Sequence, residues 1–137
     1  MFTVTAKGVY GLTAMTELAK NFNSAPLQIR EIAETHAIPQ HYLEQILVAL
    51  KKGGLVESFR GAQGGYALAR SPEKIILLDI MTLLEGKLEV YPDRRGDSIL
   101  DFFWDTLERQ ISSYLEKTLD ELVQEITQNN SQIFYSI

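Results

Sequence analysis

A mainly α-helical fold carrying one small β-hairpin is what the sequence predicts, and three observations predict it. Apolar residues step by three and four through most of the chain, the spacing that lines one face of a helix. Two short stretches alternate instead, on either side of a glycine-rich turn, which is the pattern of a hairpin. Turn residues cut the helical pattern into several short helices and one long one. With 137 residues, against roughly 150 per domain, these elements form one compact unit.

The first helix opens at Thr5, whose hydroxyl is suited to capping it, and Val9, Leu12, Met15, Leu18, Ala19 and Phe22 form its inward stripe. Turn chemistry from Asn21 to Pro26 ends it near Phe22. Gly8 and Gly11 lie inside it, each costing about 1 kcal/mol relative to alanine. Either another backbone comes close there or the first turn is weak. A shorter second helix places Ile29, Ile32 and Ala33 on one face. A third opens at or just after Pro39, whose missing N–H is not needed in a first turn. Tyr42 or Leu43, with Ile46, Leu47 and Leu50, faces inward; Lys51 and Lys52 suit the negative helix end, and Gly53-Gly54 stop it. Two short helices across a tight turn make a helix-turn-helix.

Leu55-Val56-Glu57-Ser58-Phe59-Arg60 and Tyr66-Ala67-Leu68-Ala69-Arg70 alternate around Gly61-Ala62-Gln63-Gly64-Gly65. A hairpin directly after the second helix of a helix-turn-helix is a wing. The turn is not a phosphate-cradling P-loop, because it lacks the Lys-Ser/Thr pair and no helix follows it. Residues 78–85 form a short amphipathic helix stopped by Gly86, and 91–97 a loop. Asp97 or Ser98 then starts the longest helix, which ends near Lys117. In it Leu100, Trp104, Leu107, Ile111 and Tyr114 recur at intervals of four and three, with Phe103 beside them. That face is broader than one small domain has to cover and predicts a dimerisation seam shared with a second copy; packing on its own domain is the alternative. Thr118-Leu119-Asp120-Glu121 is a capping box that restarts a short helix to about Thr127. Residues 1–76 are thus a winged helix-turn-helix DNA-binding region, 77–128 dimerisation helices and 129–137 a C-terminal tail.

The net charge of −5 taken alone argues against a nucleic-acid partner, but it is unevenly spread. Residues 1–70 carry seven Lys or Arg against five acids, and residues 71–137 six against thirteen. Within 51–70 the count is four basic to one acidic, a basic reading head on an acidic remainder. The chain has no cysteine, which excludes disulfides, a thiolate nucleophile and a cysteine-ligated metal cluster. The longest apolar run, Ile75-Ile76-Leu77-Leu78, is far short of the ~18 residues that span a membrane. The first residues lack signal-peptide order, so a cytoplasmic location is expected. The two histidines, His36 and His41, are five apart and share no helical face, and no nucleophile–base spacing is visible, which argues against an enzyme. Asp97, Asp101, Asp105 and Glu108 share a face that suits solvent or a hard cation, with Asp105 and Arg109 spaced to pair.

Four segments resemble the Rrf2 family of winged-helix transcription regulators. They are Thr5-Ala6-Lys7-Gly8-Val9-Tyr10-Gly11-Leu12-Thr13-Ala14-Met15, Tyr42-Leu43-Glu44-Gln45, Lys52-Gly53-Gly54-Leu55-Val56 and Arg60-Gly61-Ala62-Gln63-Gly64-Gly65-Tyr66. The resemblance implies a homodimer that binds an imperfect palindrome in double-stranded DNA. It places Pro39, Gln40, His41, Tyr42, Glu44 and Gln45 at the start of the recognition helix and Arg60 at the head of the wing. By the same resemblance Gln63, Gly64 and Gly65 let the wing backbone approach DNA, while Lys7, Lys52 and Tyr10 are candidates for phosphate contact. Tyr10 and Tyr42 are equally readable as core aromatics, and Lys52 as a helix cap.

Many members of the family hold an iron–sulfur cluster through cysteines before the long helix; the corresponding stretch here, residues 89–98, has none. The chain is similar to a cluster-free branch that represses cysteine metabolism, through the wing motif, Leu83-Leu84-Glu85-Gly86 and an aromatic tail ending in isoleucine. No cofactor is expected. That similarity implies a contact between Phe134, Tyr135 and Ile137 and the enzyme O-acetylserine sulfhydrylase; the alternative packs the tail on the dimer. Regulation of another pathway through a small metabolite, or a protein-interaction adaptor without DNA binding, are the other readings.

Overall fold

The computed structural model describes residues 3–136, with side chains as far as Asn130. Its elements run α1 (Ala6–Lys20), α2 (Ile29–His36), α3 (Gln40–Lys52), β1 (Val56–Phe59), β2 (Gly65–Leu68), α4 (Leu77–Glu85), α5 (Asp101–Tyr114) and α6 (Leu119–Ser136). Among the described residues, no helix is long and apolar enough to cross a membrane.

Most of the apolar stripes read from the sequence build the core; Val9, read as inward on α1, is instead 52% exposed because the first turn of α1 faces an open groove. Met15 and Leu18 of α1, Ile32 of α2, and Leu43, Ile46, Leu47 and Leu50 of α3 are almost wholly buried, closed over by Ile75, Ile80 and Leu119. Each such side chain stabilises the fold by about 1.5–3 kcal/mol. Between α2 and α3 the chain turns at Ala37, which adopts the left-handed conformation at φ 54°, while the Ile38 N–H donates to the Ala33 carbonyl at 2.9 Å. That pairing ends α2 and sets the angle at which α3 departs.

The wing pairs β1 with β2 antiparallel, from Val56 opposite Leu68 to Phe59 opposite Gly65. A third piece joins it: Leu27 and Tyr66 exchange both backbone hydrogen bonds, at 2.9 and 2.7 Å. The segment before α2 therefore anchors the wing to the helix-turn-helix. A single residue pair leaves no alternation to read, and the sequence gives no sign of it.

Three consecutive residues at the end of α4 each sit on a glycine. An added Cβ would lie 2.3 Å from Leu83 at Gly53, 2.4 Å from Leu84 at Gly11 and 2.4 Å from Glu85 at Gly8. The close approach expected at Gly8 and Gly11 is real, but side chains of α4 make it rather than a backbone. Thr5 is the N-cap residue of α1, yet its side chain does not cap. Its hydroxyl donates to Glu85 Oε1 at 2.6 Å, and the same oxygen accepts from the Thr5 N–H at 3.0 Å and the Gly8 N–H at 2.8 Å.

The C-terminal helices differ from expectation at their ends. α5 starts at Asp101, not Asp97 or Ser98, because the Asp101 carboxylate accepts from the Ser98 N–H and Ser98 Oγ accepts from the Leu100 N–H, holding a turn there. It stops at Tyr114 because the carbonyls of Leu115 and Lys117 accept from Leu78 and Leu77 at the start of α4. The longest helix is instead α6, with 18 residues. Thr118 Oγ1 accepts from the Glu121 N–H at 3.1 Å, as the capping box requires. The helix then continues past Thr127 to Ser136, through the polar residues that begin the segment read as a C-terminal tail. Extending an existing helix carries no nucleation cost, so a run of Gln and Asn does not end it. The side chains of Phe134 and Tyr135 and all of Ile137 lie outside the described residues.

Candidate nucleic-acid interface

α3 has two faces. Leu43, Ile46, Leu47 and Leu50 fix one in the core, which leaves Gln40, His41, Glu44 and Gln45 exposed on the other, directly after the exposed Pro39. The His41 ring nitrogen and the Gln45 amide nitrogen lie 3.4 Å apart across one turn. Val48 continues this face at 41% exposure. It is an apolar side chain of the kind that meets a thymine methyl, and its place one turn beyond Glu44 is the signal that points to it. Tyr42 is half-buried, and its ring meets that of Tyr10 edge to face.

Arg60 is exposed where β1 ends, and Gly61, Ala62 and Gln63 are exposed at the tip. Gly64 and Gly65 lie close to other backbone of the wing region. Gly64 is buried, with room for a Cβ blocked 2.3 Å away by the Phe59 carbonyl, and Gly65 has φ +141° with the Leu27 carbonyl as close. They shape the wing and line the cleft beside it, while residues 61–63 form the exposed tip.

Between the wing and the start of α2 lies a cleft of about 490 Å³, lined by Gln28, Arg30, Gln40, Ser58, Arg60 and Tyr66 among others. It brings the recognition helix, the wing and α2 together. Gln28 Nε2 donates to the Ala62 carbonyl at 3.4 Å, tying α2 to the wing tip, and exposed Arg30 adds a second guanidinium beside Arg60. Neither Gln28 nor Arg30 was expected; their signal is position, at the start of the first helix of a helix-turn-helix, which crosses the DNA backbone. Lys51 donates to Ser58 Oγ at 2.5 Å and pins β1 to α3, while Lys52 is exposed and Lys7 half-buried.

No residue of α5 is buried. Leu107, Ile111 and Tyr114 line an apolar groove of about 780 Å³ together with Val9, Leu12 and Leu122. Nearer the start of α5, Trp104 stacks edge-on against Phe103 and Tyr91, at 5.0 and 6.0 Å between centroids, and Leu100 is exposed. Three carboxylates of the acidic face have partners. Asp105 pairs with Arg94 rather than Arg109, Asp101 accepts from the Ser98 N–H, and Glu108 accepts from the Val90 N–H at 3.0 Å. Of the two histidines, His36 meets Glu17 at 3.1 Å, joining α2 to α1.

A helix-turn-helix whose second helix exposes a polar face, followed at once by a wing that shares an arginine-lined cleft with the first helix, defines a winged helix-turn-helix transcription regulator. Residues 4–125 match the model of the Rrf2 family, described as iron-dependent transcriptional regulators, and the chain belongs to that family. It is 46% identical over 85 residues to the helix-turn-helix-type transcriptional regulator CymR of Bacillus subtilis, a match that spans 62% of each chain. It is 32% identical over 138 residues to the regulator IscR of Klebsiella pneumoniae, covering 95% of this chain and 82% of that one. The solved structure of CymR, the global cysteine regulator of B. subtilis, superposes with a TM-score of 0.84 at 36% identity, covering 91% of this chain and 98% of that one. These relatives are transcriptional regulators, in agreement with the expectation that the chain is not an enzyme. The donor set does not fit the iron of the family description as a thiolate-held cluster: the sequence has no cysteine, and among the described residues no three His, Asp or Glu side chains gather.

Proposed function

We propose that this chain is a homodimeric, sequence-specific DNA-binding repressor that controls cysteine or sulfur metabolism without an iron–sulfur cluster. The observation that carries the reading is the exposed Gln40, His41, Glu44 and Gln45 face of α3, set beside the cleft that holds Arg30 and Arg60. In the major groove, the Gln40 and Gln45 amides suit adenine and the Glu44 carboxylate accepts from a cytosine amino group. Arg60 then lies against phosphate oxygens or a narrow minor groove, with Gln63 beside it on a wing shaped by Gly64 and Gly65. Lys7, Lys52 and the Tyr10 hydroxyl add phosphate contacts that hold register without reading sequence.

Dimerisation seats α5 of a second copy, through Leu100, Phe103, Trp104, Leu107, Ile111 and Tyr114, over the apolar groove. Two reading heads then meet a palindrome with half-sites about one helical turn apart, or a multiple of it. Support for the cysteine assignment is the likeness to CymR of B. subtilis. Phe134, Tyr135 and Ile137 supply the contact to O-acetylserine sulfhydrylase, which makes that enzyme the reporter of sulfur status. Deleting residues 134–137 should abolish sulfhydrylase binding, and unchanged affinity would sink that part of the reading.

Genome-wide footprinting with and without sulfur starvation tests the whole. Palindromic footprints at sulfur genes that clear on starvation are expected. Footprints indifferent to sulfur supply point to another pathway and a small-metabolite signal, and no footprints at all leave a protein adaptor.

A further inference from the structure

The start of α1 is capped from outside the helix. A capping box satisfies two N-terminal donors, the N–H of the N-cap residue and the N–H three residues on, using side chains of the helix itself. Here those donors belong to Thr5 and Gly8, and one oxygen of Glu85, at the far end of α4, accepts from both and from the Thr5 hydroxyl. The glycine is the counterpart of that carboxylate, since a Cβ on Gly8 would lie 2.4 Å from Glu85 Oε1. The turn so held carries Lys7, and the next turn carries Tyr10, whose ring stands against Tyr42 on the recognition helix with centroids 5.8 Å apart. Its other side, through Val4, Gly8 and Val9, lines the apolar groove.

We propose that Glu85 is a positioning residue for DNA binding: capping α1 from α4, it fixes where Lys7 and the Tyr10–Tyr42 pair stand relative to the DNA face. The inference rests on the DNA-binding reading above. A carboxylate with a purely structural role would do no more than keep α1 folded. A positioning role makes DNA affinity depend on the Glu85 oxygen even when α1 is equally stable.

The test uses the full chain and the duplex that wild-type protein selects from a random-sequence pool. It is run at concentrations where sedimentation shows every variant in the same oligomeric state. Glu85→Gln keeps the accepting oxygen and should hold affinity within about threefold of wild type, whereas Glu85→Ala should lose about tenfold. The double variant Gly8→Ala/Glu85→Ala separates the two roles. Alanine at position 8 favours helix, the clash with Glu85 is gone, and only the exposed Val4 side chain, 3.0 Å from the added Cβ, has to give. The Thr5 hydroxyl, freed from Glu85, can accept the N–H of residue 8 as an ordinary N-cap. Its thermal midpoint should return to near that of wild type while DNA affinity remains about tenfold down. If Glu85→Ala binds as tightly as wild type, or the double variant recovers affinity along with stability, the positioning role is overturned. Should Glu85→Ala fail to fold, the Gln and double variants decide alone. Wild-type protein that selects no duplex overturns the DNA-binding reading and this inference with it, an outcome distinct from either of the others.

Discussion

The ring of Tyr10 on α1 meets the ring of Tyr42 on α3 edge to face, with centroids 5.8 Å apart and planes at 90°. Both residues are half-buried and pack on the core, so the rings belong to packing, and the DNA contact proposed for Tyr10 rests on its hydroxyl. Such pairs contribute about 0.5–1.5 kcal/mol beyond the area they bury. Tyr10→Phe keeps the ring and should leave stability within about 0.5 kcal/mol of wild type while weakening DNA binding. Tyr10→Ala removes the pair and part of the core and should cost about 1–3 kcal/mol. Denaturant titration beside gel-shift measurement separates the two, and unchanged DNA affinity in Tyr10→Phe removes the hydroxyl from the interface.

Arg60 on the wing and Arg30 on α2 line one cleft. Both are exposed, so removing either guanidinium leaves the core untouched. Arg60→Ala should weaken DNA binding by about 1–3 kcal/mol, or flatten the salt dependence by about one counterion if the contact is to phosphate. Arg30→Ala should flatten the salt dependence in the same way with little change in sequence preference. Binding isotherms over a salt series provide the check. A variant that matches wild type at every salt concentration excludes that arginine from the interface.

The parts legible in the sequence were those with a repeating pattern. Leu43, Ile46, Leu47 and Leu50 mark the buried face of α3 by spacing alone, and the same spacing leaves Gln40, His41, Glu44 and Gln45 outside. What was not legible depends on residues distant in the chain. The Leu27–Tyr66 bridge is one pair, too short to alternate. Thr5 has the local character of a cap, but an acceptor 80 residues away captures its hydroxyl. Gly64 and Gly65 look like a surface loop until the Phe59 and Leu27 carbonyls are placed against them. Arg94 and Asp105, eleven residues apart, override the local i,i+4 pairing of Asp105 with Arg109. In each case the local rule was sound and a tertiary contact outweighed it.

Gly65 carries the constraint that lets the segment at Leu27 bridge to the two-stranded wing. Its φ of +141° and the Leu27 carbonyl 2.3 Å from any added Cβ oppose every other residue. Gly65→Ala should destabilise the fold by about 1–3 kcal/mol through backbone strain, more if the bridge opens. Hydrogen exchange at the Leu27 and Tyr66 amides should accelerate first, because those two N–H groups are the bridge. Exchange that stays slow at both would mean the wing accommodates the methyl group by another movement.

Because α5 buries no residue in its own chain, charge placed on it should separate copies without unfolding them. Leu107 and Ile111 line the groove one turn apart. The double variant Leu107→Asp/Ile111→Asp should sediment as a monomer with an unchanged helical circular dichroism spectrum. It should also lose high-affinity binding to a palindrome, since two linked reading heads gain about 10²–10⁴-fold over one. A variant that stays dimeric places the seam elsewhere.

Glu85 links the same architecture to pH. The Thr5 hydroxyl, then the Thr5 and Gly8 N–H groups and the nearby Lys7 charge, hold its carboxyl below the ordinary value of 4.5 against an opposing effect of burial. A carboxylate with a lowered folded-state pKa contributes stability that is complete above its unfolded value and disappears as pH falls through the folded one. The stability difference between wild type and Glu85→Gln should therefore be constant near neutrality and shrink once the pH drops below 4.5. Urea titrations at a series of pH values would show this, and a difference that persists unchanged into acid would mean that the carboxylate's charge plays no part in the cap. Thr5→Val removes the largest contribution and should bring the Glu85 titration, followed by carboxyl NMR, back toward its ordinary value, while the two backbone donors keep it from returning fully.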